Sequence, residues 1–220
     1  MNNLLVGSKC HLSNGSFLIN AEDELLEISI QDEVNVYLFN QNIRNLVLNV
    51  SDHSVINFYQ YNDNLINDLK ITINQNNYSV VNFNASFKNE ANILVKLNNY
   101  INGNNNSSNI KFRNISNCEY SKMNINVYVK SKTKNNVALE DLRGITNGGN
   151  VEIEPNIICE SNETIANHLT TIGVINREEI DYLMQKGISK EIAKQILLNS
   201  FIISNMNINM KNLIGGEQNA

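Results

Sequence analysis

Tryptophan is absent, proline occurs once, and cysteine and histidine occur three times each in 220 residues. Each scarcity excludes something. Cys10, Cys118 and Cys159 are odd in number and far apart, so neither a disulfide framework nor a CxxC-type zinc site is expected. That usage fits a reducing cytoplasm. Basic residues are few: 17 Lys and Arg stand against 22 Asp and Glu, a net charge of -5. Such a balance attracts neither nucleic acid nor an anionic membrane. Residues 130–134 alone approach a basic cluster, and they read as a solvated loop. No apolar run nears the ~18 residues a transmembrane helix needs. Residues 1–9 lack the basic start and apolar stretch of a signal peptide.

Enzyme motifs are missing as well. There is no P-loop, GxGxxG, GxSxG or HExxH. Gly144, Gly148 and Gly149 lie in a turn with neither a lysine nor a following helix, so phosphate binding is not expected. The histidines, at 11, 53 and 168, have no adjacent partners for a triad. The chain reads as a non-enzyme.

Asparagine is abundant, at about one residue in five. An AT-rich coding sequence raises Asn, Ile, Lys and Tyr together and is the larger expected cause. Side-chain ladders in a stacked β-fold and turns with positive φ are the alternative. Short runs rich in Val, Ile, Phe and Tyr recur: Val36–Phe39, Leu46–Val50, Val55–Tyr59, Leu69–Ile73, Val80–Phe83, Ile93–Leu97, Ile110–Phe112 and Ile125–Val129. Breaks between them are Asn, Asp, Ser and Gly, and no helical stretch intervenes. Many short strands without helices mean a sandwich, a barrel or a solenoid. Residues 98–109, rich in Asn and Ser, read as a mobile loop.

The pattern changes after Gly173. Asn176 with Glu179 forms a capping-box-like pair, Ile180, Leu183 and Met184 share a helix face, and Gly187 stands at the C′ position. Ser189 caps a second helix whose apolar stripe is Ile192, Ile196, Leu197 and Phe201. Residues 205–220 read as a weakly ordered tail.

Three blocks carry a family signature: Asn150 to Cys159 around Pro155, Ala166 to Gly173 around His168, and Asn176 to Ala193 with Tyr182, Leu183, Met184, Gly187, Ile188 and Ser189. In order and spacing they resemble the C-terminal region of the SufB/SufD family, scaffolds of iron–sulfur cluster assembly. The resemblance is specific over residues 136–204 and architectural before that. It implies a mainly β fold, a right-handed β-helix over residues 1–170, a small helical cap over 171–204 closing its open end, and the tail beyond.

What the resemblance implies about function follows residue by residue. The helical region docks a SufC-like ABC-type ATPase, which points to Tyr182, Met184, Ile188, Lys190 and Lys194. The last β-helix strands, near Val151 to Cys159, pair edge to edge with a SufB/SufD paralogue or a second copy. His168 occupies the family's histidine position near that contact, and Glu140 falls where SufB-like chains carry a cysteine. Cys159 is the thiol nearest His168 in sequence. His168, Cys159 and Glu140 are therefore the candidate ligands for iron or a transient iron–sulfur cluster at a subunit interface; no tightly bound cofactor is expected. Ala166 stands where SufD-like chains often carry Cys, and Asn167 and Leu169 replace acidic neighbours of SufB-like chains. These losses lean towards a SufD-like role. The rival readings are a β-solenoid structural or surface-adhesion module, and a polysaccharide-cleaving enzyme on a β-helix. The latter needs clustered carboxylates, in which the body is poor.

Overall fold

The computed structural model describes residues 1–64 and 67–217. Among them the chain forms thirteen strands and three helices. The strands are β1 (Asn2–Val6), β2 (Lys9–Ala21), β3 (Leu25–Phe39), β4 (Asn45–Val50), β5 (Val55–Asn62), β6 (Leu69–Gln75) and β7 (Val80–Asn89). They continue as β8 (Ile93–Ile101), β9 (Ser107–Ser116), β10 (Ser121–Val129), β11 (Lys134–Thr146), β12 (Val151–Cys159) and β13 (Glu163–Gly173). Helices α1 (Arg177–Gln185), α2 (Lys190–Ile202) and α3 (Ile208–Glu217) follow.

Strand order is β12-β10-β8-β6-β4-β3-β5-β7-β9-β11-β13, and the ladders are parallel. Parallel neighbours that skip every second strand describe a β-solenoid of about five turns. Each turn lays one strand on each of two facing walls: β4, β6, β8, β10 and β12 on one, β5, β7, β9, β11 and β13 on the other. The long β3 belongs to both, its first half pairing with β4 and its second with β5. Along each strand alternate residues face the lumen. Leu46, Ile71, Leu97 and Ile125 stack on one wall; Phe58, Phe83 and Phe112 stack towards the other, with the first two rings parallel at 4.8 Å. All are fully buried.

The turns are not equal. Lys9 aligns with Glu27, eighteen residues on; Leu46 aligns with Ile71, twenty-five on; Ile125 aligns with Pro155, thirty on. The solenoid is therefore narrow where it begins and wide where it ends. One corner recurs in each turn with a residue in the left-handed region: Asn14, Asp32, His53, Tyr78, Asn105 and Asn135. Asn and Asp tolerate that conformation best, which accounts for part of the asparagine.

Ladders account for more. Asn82 Nδ2 donates to Asn57 Oδ1 at 2.9 Å, and Asn57 Nδ2 donates to Asn35 Oδ1 at 3.1 Å. A second column joins Asn74, Asn49 and Glu27, and a third Asn156, Asn126 and Asn98. At the corner, side-chain carbonyls of Asp52, Asn77 and Asn104 accept from the backbone N–H of Asn77, Asn104 and Lys134 in the next turn. Asparagine thus works as inter-turn mortar, beyond what coding bias explains.

Three expectations change. Residues 98–109 are not one continuous loop: Asn98 and Asn99 lie in β8, Ser107 opens β9, and Asn106 between them is buried. Polar composition misled because these asparagines bond to other turns. The segment after residue 204 is not a weak tail: it forms α3, with Met206, Met210 and Ile214 buried. Residues 218–220 of that expectation lie outside the described residues. Nor do the helices close the open end. They fold back along a flank, α2 against β7 and β9 and α3 against β3. There Ile202, Met206, Met210 and Ile214 pack on Tyr37, Tyr61 and Ile115, outside the lumen.

Asn57→Ala removes two inter-turn hydrogen bonds and leaves Asn82 and Asn35 short of a partner. Unfolding in urea should show a loss of about 1–3 kcal/mol, with an unchanged m-value.

Candidate functional site

Because the helices lie on the flank, the widest turn is uncovered. The residues of β13 are exposed except Thr164 and Thr170, which are half-buried. Its alternation still follows the walls: Asn136, Ala138, Glu140, Leu142 and Gly144 of β11 face the lumen and are buried. They align with Thr164, Ala166, His168, Thr170 and Ile172. Gly144 fits because nothing larger does: a Cβ there would lie 2.6 Å from Cγ1 of Val151 on the opposite wall.

Glu140 and His168 are therefore direct neighbours on the lumen face of adjacent turns. Strands pair ~4.8 Å apart, but no hydrogen bond joins the two side chains. Glu140 is only 3% exposed, and both carboxyl oxygens lack a hydrogen-bond partner. Burial pushes its pKa up to about 7 from an ordinary 4.5. The hydroxyls of Thr164 and Thr170 on the same face are also unsatisfied. Buried polar atoms normally find partners. A buried carboxyl group without a partner is favoured in its protonated form.

Cys159 does not join them. It faces the lumen side of β12 at that strand's end, aligned with Val129, and its thiol points to the Ser161 carbonyl at 3.1 Å. The chain turns there into β13, and ~16 Å of strand separates Glu163 from His168. Among the described residues no group of three or more His, Cys, Asp or Glu gathers as a metal site. Glu140 and His168 supply one oxygen-type and one nitrogen-type donor, suited to a ferrous ion more than to a sulfide-bridged cluster.

The helices form the second feature. Asn176 caps α1 by accepting from the Glu178 N–H, and Ser189 caps α2 through Ile192 N–H. Between them Gly187, at φ +86, makes the left-handed stop. The resulting hairpin is thinly attached: α1 buries no residue. Tyr182 (59%), Ile192 (52%) and Met184 (43%) stand exposed. A groove of about 350 Å³ runs between the helices, lined by Tyr182, Leu183, Ile196, Leu197, Asn176, Glu178 and Glu179. Ile188 is half-buried at the turn, and Lys190 and Lys194 are exposed on α2.

At its far end the hairpin is bolted down by residues that sequence reading passed over. Ser86 Oγ donates to the Ile202 carbonyl at 2.7 Å, and Asn205 Nδ2 reaches the carbonyls of Ala85 and Lys111. Arg113 donates to Ser204 Oγ at 3.0 Å and forms an ion pair with Asp141 at 2.8 Å. Burial lowers the Arg113 pKa. Burial also acts to raise that of Asp141, but hydrogen bonds from Arg113 and Arg143 outweigh it and hold the carboxyl below its ordinary value. No local sequence signal marks these contacts, which join residues about 90 to 120 positions apart.

The model of the SUF system FeS cluster assembly, SufBD core domain, matches residues 7–201. The chain belongs to this family. No curated protein matches it in addition. The SufBD match spans the solenoid and both helices of the hairpin, and so covers the lumen pair and the groove together. Membership supports a role in SUF iron–sulfur assembly. No helix of the described residues is long and apolar enough to cross a membrane.

The lumen carboxylate makes stability pH-dependent in a predictable sense. Its folded pKa lies above the unfolded one, so the folded state is favoured while Glu140 is protonated and loses that advantage as pH rises from about 4.5 through about 7. Glu140→Gln should flatten this fall and raise stability at pH 8 by about 2–3 kcal/mol. Urea unfolding of both forms at pH 5 and pH 8 measures it.

Proposed function

We propose that this chain is a non-catalytic scaffold subunit of a SUF-type iron–sulfur assembly complex, working in the cytoplasm. The observation that carries the reading is the SufBD core match across the solenoid and the hairpin, on a chain whose two exposed features are a partnerless apolar hairpin and an open lumen end. The α1–α2 hairpin docks a SufC-like ABC-type ATPase, with Tyr182 and Met184 as apolar anchors, Ile188 at the bend, and Lys190 and Lys194 as the charged rim. The open end pairs with a SufB/SufD paralogue or a second copy. At that end Glu140 and His168 hold iron in transit, completing its coordination with donors from the partner. Cys159 lies too far along the strand to share that ion and serves, if at all, as a separate sulfur-side contact. A glutamate in place of a lumen thiol favours the SufD-like role.

In this mechanism the ATPase exerts its effect through an anchored lever. Force on α1 and α2 reaches the wall at Ser86, Arg113 and Asp141, and Asp141 is the chain neighbour of Glu140.

Co-purification with the SufC-like ATPase of the same organism tests the reading. The wild-type chain should associate at micromolar concentration. Lys190→Glu with Lys194→Glu should weaken association at least ~10-fold, since rim charges steer encounter and register. Absence of association by the wild type would overturn the proposed role of the hairpin.

A further inference from the structure

Asn14, Asn102 and Asn147 are each followed by glycine. An Asn–Gly pair carries its own reaction. The deprotonated glycine nitrogen adds to the side-chain carbonyl carbon of the asparagine, because no Cβ stands in its way. The new N–C bond closes a succinimide ring, and the bond to the amide nitrogen breaks and releases ammonia. Water then opens the ring at either carbonyl. One opening leaves aspartate; the other leaves isoaspartate, with the main chain rerouted through the side chain. Water is the only co-reactant, and nothing is oxidised or reduced. A folded chain permits the reaction where the glycine nitrogen is free and the two groups can turn towards each other.

Two of the three pairs are restrained. Gly103 is buried, and a Cβ there would lie 2.6 Å from the Asn77 nitrogen. Its carbonyl accepts from Asn136 Nδ2, and the N–H groups of Asn102 and Asn104 on either side donate to the Gln75 carbonyl and Asn77 Oδ1. Asn14 and Gly15 lie within β2, where Gly15 pairs with Val34. Asn14 Nδ2 also stands 3.3 Å from Asp32 Oδ2. That carboxylate opposes the negative charge of the attacking nitrogen.

Asn147 differs on each count. It lies in the bend between β11 and β12. Gly148 is exposed, has φ +95, and has open space around its Cβ position. Among the described residues its N–H meets no acceptor. The Asn147 side chain is held by one hydrogen bond, from Nδ2 to Asn117 Oδ1, while its own Oδ1 is buried without a partner. Turning towards Gly148 breaks that single bond and frees a carbonyl that is unsatisfied where it stands.

The products do not fit the turn. Asn147 donates to Asn117, and Asn117 Nδ2 donates to Glu90 Oε1. A carboxylate at 147 puts an acid at both ends of this column. Asn117 can turn its amide nitrogen to only one of them, and its carbonyl then faces the other. Isoaspartate also lengthens the main chain by one carbon. The insertion falls between the Asn147 N–H, bonded to the Ser116 carbonyl, and Gly149, where a Cβ would lie 1.9 Å from the Cys118 carbonyl oxygen. Stacking on the turn below cannot hold on both sides of an inserted atom.

We propose that Asn147 is a self-modification site: ring closure with Gly148 converts it to isoaspartate and aspartate and loosens the start of β12 from the turn beneath. The reaction belongs to the fold and does not depend on the assembly role.

Peptide mapping by mass spectrometry of the purified chain, aged in warm, mildly alkaline buffer, tests it, with enzymatic methylation of isoaspartate as the second readout. Asn147 should convert at least ~10-fold faster than Asn14 or Asn102. In urea the three should react at similar rates, because the selectivity comes from the fold. Asn147→Gln should remove the fast phase of ammonia release. The aged chain, separated by ion exchange, should show faster amide exchange at Asn150 and the first residues of β12. Asn147→Asp, which adds the charge without the extra main-chain carbon, should show a smaller change. Equal rates in the folded chain, earlier reaction at Asn14 or Asn102, or the folded order persisting in urea would overturn the site. Unchanged exchange in the aged chain would overturn the loosening of β12.

Discussion

Vertical register between turns is the constraint on which the whole molecule depends. In a parallel solenoid each residue must stand on its counterpart one turn earlier, so a side chain is judged by what lies above and below it. Apolar residues satisfy the rule in the lumen, as Leu46, Ile71, Leu97 and Ile125 do. Asparagine satisfies it elsewhere, because its amide is both donor and acceptor and continues a column through Asn35, Asn57 and Asn82. The left-handed corner residues satisfy it by repeating one backbone conformation per turn. Where stacking stops, at β12 and β13, backbone groups and apolar side chains are left over.

Glu140 shows where the constraint is broken. It occupies a lumen position between Ala138 and Leu142, where stacking calls for an apolar residue. The carboxylate has no partner within the chain, and the next lumen residue is a histidine at the open mouth. By the rules of packing Glu140 is a defect. On the outer face of the same wall, Arg113 is paired and hydrogen-bonded on all sides and fastens the helices. One buried ionisable group is satisfied within the chain and the other is not.

Much of this was legible in the sequence. The alternating Val- and Ile-rich runs mark most strands, and Asn176, Gly187 and Ser189 mark the ends of α1 and α2, because those signals are local. The repeat was hidden since the turns lengthen from fifteen to about thirty residues and no fixed period survives. Asn98 to Asn109 resembled a loop because side-chain bonds to residues about 25 positions away leave no local trace. The apolar faces of α2 and the segment around Met210 were visible, but what they cover was not. The tyrosines beneath them, Tyr37 and Tyr61, lie far earlier in the chain. The alignment of Glu140 with His168 in adjacent turns depends on the register of β11 with β13, which no local signal shows; the separation of Cys159 required knowing where β12 ends.

Amide hydrogen exchange resolved along β13 in the purified chain tests the central claim that the wide end of the solenoid is left uncovered. The account predicts that Asn167 and Leu169, bonded to β11, are protected. Ala166, His168, Thr170 and Ile172, whose backbone groups face the free edge, should exchange rapidly. Equal protection of both sets would mean that the end is already covered within one chain, and would contradict it.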